Sequence, residues 1–135
     1  MTTPSSPATI KLAVVGAHLR GQPLNSQLTE RHAEFLEQTT TAPEYRLYAL
    51  ANTTPPKPGL KRVTKDGAAI EVEVWALTPE AFGTFVAAIP QPMGIGTLTL
   101  ASGELVKGFI CEEIAIEGAL DITSSGGWRA YLAAR

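Results

Sequence analysis

The chain has 135 residues and a mass of 14.3 kDa, enough for one domain with a buried core. Hydrophobic residues make up 44% and charged residues 18%, which excludes an intrinsically disordered chain. Eleven basic residues against thirteen acidic ones leave a net charge of -2, which argues against a general nucleic-acid binder, and the one cysteine, Cys111, excludes an intramolecular disulfide and a multi-cysteine zinc site.

Residues 1–9 are polar and rich in Pro and Ser, which predicts a disordered arm; a single domain is expected over 10–135. The arm lacks the basic and apolar stretches of a signal peptide. No apolar window is long enough to span a membrane, so a cytoplasmic protein is expected. Residues 10–16 are apolar and β-branched and end at Gly16, as a strand would. A loop follows over 17–23. Leu24, Leu28, Phe35 and Leu36 then fall at helical spacing, with His32 in the middle of the predicted helix and its start near Pro23 or Asn25. Thr39, Thr40, Thr41 and Pro43 favour extended chain beyond it.

Residues 45–50 predict a second strand, with Tyr45 and Tyr48 on opposite faces and one hydroxyl inside needing a partner. Three prolines and a glycine over 52–59 predict a rigid exposed loop. A brief pairing segment over 60–63 and a hairpin turn at Asp66-Gly67 come next. Residues 69–77 alternate and then turn fully apolar, placing Glu71 and Glu73 together on an exposed sheet face. Thr78, Pro79 and Glu80 are three agreeing helix-start signals, and Phe82, Phe85, Val86 and Ile89 supply the buried face. A hairpin turns at Ser102-Gly103. A short amphipathic segment over 128–132 packs back on the domain. Strands outnumber helices, which defines an α+β class with a mixed sheet curled toward a small barrel.

Chemistry concentrates after the first strand, in Gly16-Ala17-His18-Leu19-Arg20-Gly21. Imidazole exchanges a proton near neutral pH, and His18 is the best acid/base candidate of the chain. Successive backbone N–H groups over Ala17 to Leu19, next to a glycine, form a plausible carboxylate cradle. Arg46 offers a cation to the same ligand, and Asn25 or Tyr48 a polar group to orient it. The adjacent Glu112 and Glu113 point apart. Cys111 has no histidine nearby in sequence, and no serine stands in a nucleophile elbow. No metal-ligand spacing occurs, and neither a metal nor a cofactor is expected.

The segment from Val14 to Asn25 resembles the first strand and loop of the γ-glutamylcyclotransferase-like fold, and more closely the C-terminal domain of allophanate hydrolase. Residues 41–50, 56–60, 70–77, 92–97, 106–109, 121–123 and 126–131 match in the same order. The resemblance thus spans nearly all of 10–132. It implies a mixed β-barrel with packed helices and a small polar cavity, the loop after the first strand binding a carboxylate. It places Met93 where cyclotransferases carry their acid/base glutamate. A thioether carries no proton, so cyclotransferase chemistry is not expected. The resemblance instead implies decarboxylation of N-carboxycarbamate, or a similar N-carboxylated dicarboxylate, in urea and allophanate metabolism. His18 would be the general acid, and Gly16, Ala17, Leu19, Asn25, Arg46 and Tyr48 would bind substrate. The alternative is a non-catalytic module that binds a small dicarboxylate or docks to an amidase-family allophanate hydrolase.

Overall fold

The computed structural model describes residues 8–135. Most of the predicted arm, residues 1–7, lies outside the described residues. The first strand, β1 (Ile10–Val14), is the axis of the fold. It lies antiparallel to β5 (Glu71–Leu77) on one side and parallel to β7 (Leu105–Cys111) on the other. β2 (Glu34–Thr40) and β6 (Met93–Thr99) complete the larger sheet in the order β2-β5-β1-β7-β6. A smaller sheet, β4-β3-β8, is made from β3 (Tyr45–Ala49), β4 (Pro58–Arg62) and β8 (Leu120–Asp121). This is the expected α+β class with a mixed sheet. The strands divide between two sheets that enclose one apolar core, in which Leu12, Leu47, Ile70 and Val74 have no exposed surface.

Both central strands are covered on two faces, and their sequences show it. Leu12, Ala13 and Val14 of β1 have no exposed surface, and every residue of β5 from Val72 onward is buried. Tyr45 is the inward tyrosine of its strand; its hydroxyl accepts the Thr99 N–H at 3.0 Å. The helix α2 (Pro79–Ala87) starts as expected, with Thr78 Oγ1 accepting from the Ala81 N–H. Phe85 carries most of its burial. The C-terminal helix α4 (Trp128–Ala134) packs Trp128 into the core beside Tyr131, as expected of that segment.

Three expectations about the elements and loops fail. The helix predicted over 24–37 is only the single turn α1 (Ser26–Thr29), and its second half is the strand β2. His32 takes a left-handed conformation, with φ 58, and Ala33 N–H reaches back to Leu28 O, closing the helix there. The strand escapes a period-2 reading because its register skips between Phe35 and Glu37. That bulge sets two neighbouring apolar residues, Phe35 and Leu36, in a strand that would otherwise alternate. Phe35 packs edge-on against Trp75 of β5, and Leu36 is left partly exposed. Second, Asp66-Gly67 turns the chain, but β4 pairs with β3 and the turn closes no hairpin. Third, the proline loop is exposed only in part: Pro58 is buried and opens β4.

Two close approaches place that loop. A Cβ on Gly16 would overlap the Pro58 ring, and a Cβ on Gly59 would meet Cys111 Sγ of β7 and the Leu50 side chain. Glycine at both positions lets the smaller sheet settle on the end of β1 and on β7. The residues just before Pro58 are thereby brought over the loop that follows β1. The remaining helix, α3 (Glu113–Ile116), leaves Ile114 71% exposed.

Candidate functional site

A cavity of about 220 Å³ opens where β1 ends. Its walls come from five parts of the chain: the loop from Val15 to His18, Leu24 with Gln27 of α1, the segment of Thr54 to Pro58, Ala88 to Pro90 just after α2, and Met93 with Phe109 from the larger sheet. His18 is 8% exposed. Its ring stacks on Phe109, with centroids 4.9 Å apart and planes at 18°, and meets Phe85 edge-on at 5.1 Å. Nε2 lies 2.8 Å from Gln27 Oε1. A carbonyl oxygen only accepts, so Nε2 carries the hydrogen and Nδ1 is the basic nitrogen of the neutral ring.

Nδ1 has no hydrogen-bond partner among the described residues. Yet no buried side-chain nitrogen or oxygen among them is left unsatisfied. Nδ1 is therefore reached from open space, on the ring that lines the cavity. Burial pushes the His18 imidazole below its ordinary value of 6.5; the Gln27 bond pulls it back up, and the Lys57 charge pushes it further down. The ring is neutral at neutral pH when the cavity holds no anion.

Among the described residues Lys57 is the one permanently charged residue in the cavity wall. It is half-buried, and among the described residues its ammonium has no carboxylate or hydrogen-bond partner. The N–H groups of Ala17 and His18 likewise donate to no acceptor among the described residues. Gly16, Ala17, His18 and Lys57 together make a small concave surface with free donors and a cation. Such a surface suits an anion rather than a metal, and no group of three or more His, Cys, Asp or Glu that could hold a metal ion occurs among the described residues.

The other site residues proposed from the sequence sit apart from this surface. Leu19 is core, and its N–H is taken by Gly16 O at 3.0 Å. Asn25 does not touch the cavity; its Nδ2 donates to His18 O at 2.8 Å and so braces the loop. Arg46 is held by Asp121 at 2.7 Å and by the Asp66 carbonyl. Tyr48 lies on the same strand of the smaller sheet, opposite Gly59 and Asp121. Neither lines the cavity. Lys57 and Gln27 were missed by the sequence reading: one hides in a proline loop, and the other sits at an unremarkable helical position.

The loop after β1 is also tied from outside the cavity. Glu73, expected on an exposed face, has no exposed surface. Its carboxylate accepts from Arg20 N at 2.9 Å, Arg20 Nε at 3.0 Å, an Arg129 guanidinium nitrogen at 2.6 Å and Trp75 Nε1 at 3.3 Å. Arg129 also donates to Arg20 O at 2.8 Å and to Glu71 at 3.0 Å. The Arg20 guanidinium lies 3.8 Å over the Phe35 ring. Burial alone would raise the Glu73 carboxyl; hydrogen bonds from Arg129 and Arg20 outweigh it and hold the group below its ordinary 4.5. Cys111 is inert by comparison: burial first, then the Glu113 charge, pushes its thiol up to about 11.

The family model of the allophanate hydrolase C-terminal domain matches residues 10–133. A urea amidolyase of Saccharomyces cerevisiae is 50% identical over 126 residues, covering 90% of this chain and 7% of that protein. The allophanate hydrolase of Kluyveromyces lactis superposes with a TM-score of 0.91 at 44% identity, over 98% of this chain and 22% of that one. A uropathogenic E. coli-specific protein aligns at TM-score 0.86 and 32% identity, covering 93% of this chain and 97% of its own. An aig2-like protein of Mus musculus, at 16% identity and TM-score 0.61, shares the γ-glutamylcyclotransferase-like fold alone. The chain thus spans a small fraction of the yeast proteins it matches and nearly the full length of the bacterial one. No helix among the described residues is long and apolar enough to cross a membrane.

Proposed function

The chain belongs to the allophanate hydrolase C-terminal domain family, and we propose that it decarboxylates N-carboxycarbamate or a close N-carboxylated dicarboxylate with His18 as the general acid. The observation that carries the reading is a buried imidazole whose free nitrogen opens on a small cavity beside an unpaired lysine. Lys57 takes the role the sequence reading gave to Arg46. Its ammonium and the Ala17 and His18 N–H groups hold one carboxylate, as charge-assisted bonds do best out of bulk water.

The dianion itself supplies what the empty site lacks. Its second negative charge offsets the burial that keeps His18 neutral, so the ring takes a proton when substrate binds. The bond between nitrogen and the leaving carboxylate then breaks. Its electron pair stays on nitrogen, His18 gives nitrogen the proton, and carbon dioxide and carbamate result. The ring recovers its proton from solvent when the next dianion enters. A positioned general acid typically contributes about 10²–10⁴-fold. His18→Asn should lower the rate of carbon dioxide release from N-carboxycarbamate by that order while the folded structure persists. Equal turnover by wild type and variant would remove the catalytic reading.

A non-catalytic reading has its own support in the solvent-exposed Ile114 and Leu120, which suit a docking face, and in relatives where this domain is one part of a longer enzyme. Under it, malonate binds, and wild type and His18→Asn both leave the carbon dioxide rate at the background value.

A further inference from the structure

We propose that Gln27 is the positioning residue of His18. By accepting the Nε2 hydrogen it fixes the ring tautomer, so that Nδ1 alone exchanges the proton with the ligand. The inference deepens the acid/base reading above and rests on it for the identity of the ligand. Its geometric part rests on the ring alone.

Three observations converge on it. The Nε2 to Oε1 distance of 2.8 Å is a full hydrogen bond, and it is the one side-chain partner His18 has among the described residues. The ring cannot readily exchange its two nitrogens by flipping. Phe109 stacks on its face and Phe85 closes from the edge, so rotation must push a ring edge into Phe109. Gln27 is itself held: Arg31 donates to Gln27 O at 2.9 Å while its Nε reaches Thr84 Oγ1 of α2 at 3.0 Å. The short turn α1 therefore carries the amide at a set place although it is too brief to be stable alone.

The electrostatics agree. The Gln27 bond is the interaction that raises the His18 pKa against burial. Other charge near the ring is sparse. Lys57 faces it from the segment before β4. The Arg31 guanidinium sits beside Gln27 and 5.8 Å over the Phe85 ring. Among the described residues the cavity wall holds no carboxylate. A neutral amide thus does what a carboxylate does in a catalytic triad, orienting imidazole, but leaves the ring neutral until an anion arrives. A carboxylate at the same place would keep the ring protonated in the empty site and repel the dianion.

Two substitutions at this position separate orientation from packing. Gln27→Leu removes the acceptor; Gln27→Glu converts it to an anion. Long-range proton–nitrogen spectra of the free protein, with His18→Asn identifying the His18 signals against His32, report tautomer and ring pKa without any substrate. Wild type should show hydrogen on Nε2. Gln27→Leu should give a mixture of tautomers and a lower ring pKa, and Gln27→Glu a higher one. In turnover, Gln27→Leu should lower kcat by about tenfold, the rate equivalent of one hydrogen bond, with KM little changed. Hydrogen on Nδ1 in wild type, or a ring pKa that both variants move the same way or leave in place, overturns the inference. Should Gln27→Leu fail to fold, the wild-type tautomer and the Gln27→Glu shift still decide it. If the spectra follow expectation while His18→Asn keeps the full rate, the oriented ring stands and the decarboxylation reading fails.

Discussion

Two buried ionisable groups flank the loop after β1, and they are handled in opposite ways. Glu73 is charged and surrounded: four donors from Arg20, Arg129 and Trp75 converge on it. His18 is kept neutral, with one partner on Nε2 and, among the described residues, none on Nδ1. The first arrangement is complete and has no vacant bond to offer a ligand. The second is short of one partner and opens on a cavity whose lysine is unpaired among the described residues. Perturbation of a pKa does not by itself mark a functional group, since both groups are perturbed. The vacancy is what separates a clamp from a site.

The largest effect tests the clamp. Glu73→Ala leaves two arginines without their shared acceptor and frees the Arg20 end of the loop. Removing one partner of a buried pair costs roughly 3–5 kcal/mol; both arginines are partly exposed and can rehydrate, which favours the lower figure. Urea denaturation should show a loss of about 3 kcal/mol. A loss under about 1 kcal/mol, typical of surface pairs, would mean that the clamp does not differ from an ordinary exposed bridge. Lys57→Met probes the other side. Thermal stability should hold, because among the described residues the ammonium has no hydrogen bond or ion pair to lose, while malonate should bind about 10–100-fold more weakly by calorimetry, the worth of one charge-assisted bond. Unchanged affinity would move the anion away from Lys57.

The same contrast explains what the sequence revealed. β1, its glycine and His18 were legible because a β-branched run closed by Gly16 depends on local preference. The start of α2 at Thr78-Pro79 was legible for the same reason. Glu73 was not: its alternation with Val72 and Val74 is that of any half-solvated strand, and the arginines that bury it lie 53 and 56 residues away. β2 has a helical pattern because adjacent Phe35 and Leu36 break the strand alternation; a bulge absorbs them, and only pairing with β5 selects the strand. Lys57 reaches the cavity because Pro58 rests on Gly16, a contact between distant segments that leaves no periodic trace. Arg46 carries the right charge in the sequence, yet Asp121, 75 residues on, takes that guanidinium.

The smallest effect is the pH dependence of stability, and here the two groups separate by window rather than by sign. The His18 ring has a folded pKa below its ordinary 6.5, so the unfolded chain takes up the proton first as pH falls. The stability this contributes is fully present above 6.5 and is lost as pH drops toward the folded value. The Glu73 carboxyl, held below 4.5, contributes stability that is present above 4.5 and lost only as pH falls through its own lower value. Denaturation midpoints should therefore decline in two stages. His18→Asn should abolish the first and Glu73→Gln the second. Malonate sharpens the distinction further: an anion in the cavity favours the protonated ring, so its affinity should rise as pH falls through the His18 window, whereas the clamp, having no vacancy, should leave that affinity untouched when Glu73 is neutralised in a chain that stays folded. A malonate affinity flat across the window, with His18 intact, would place the anion out of reach of the imidazole.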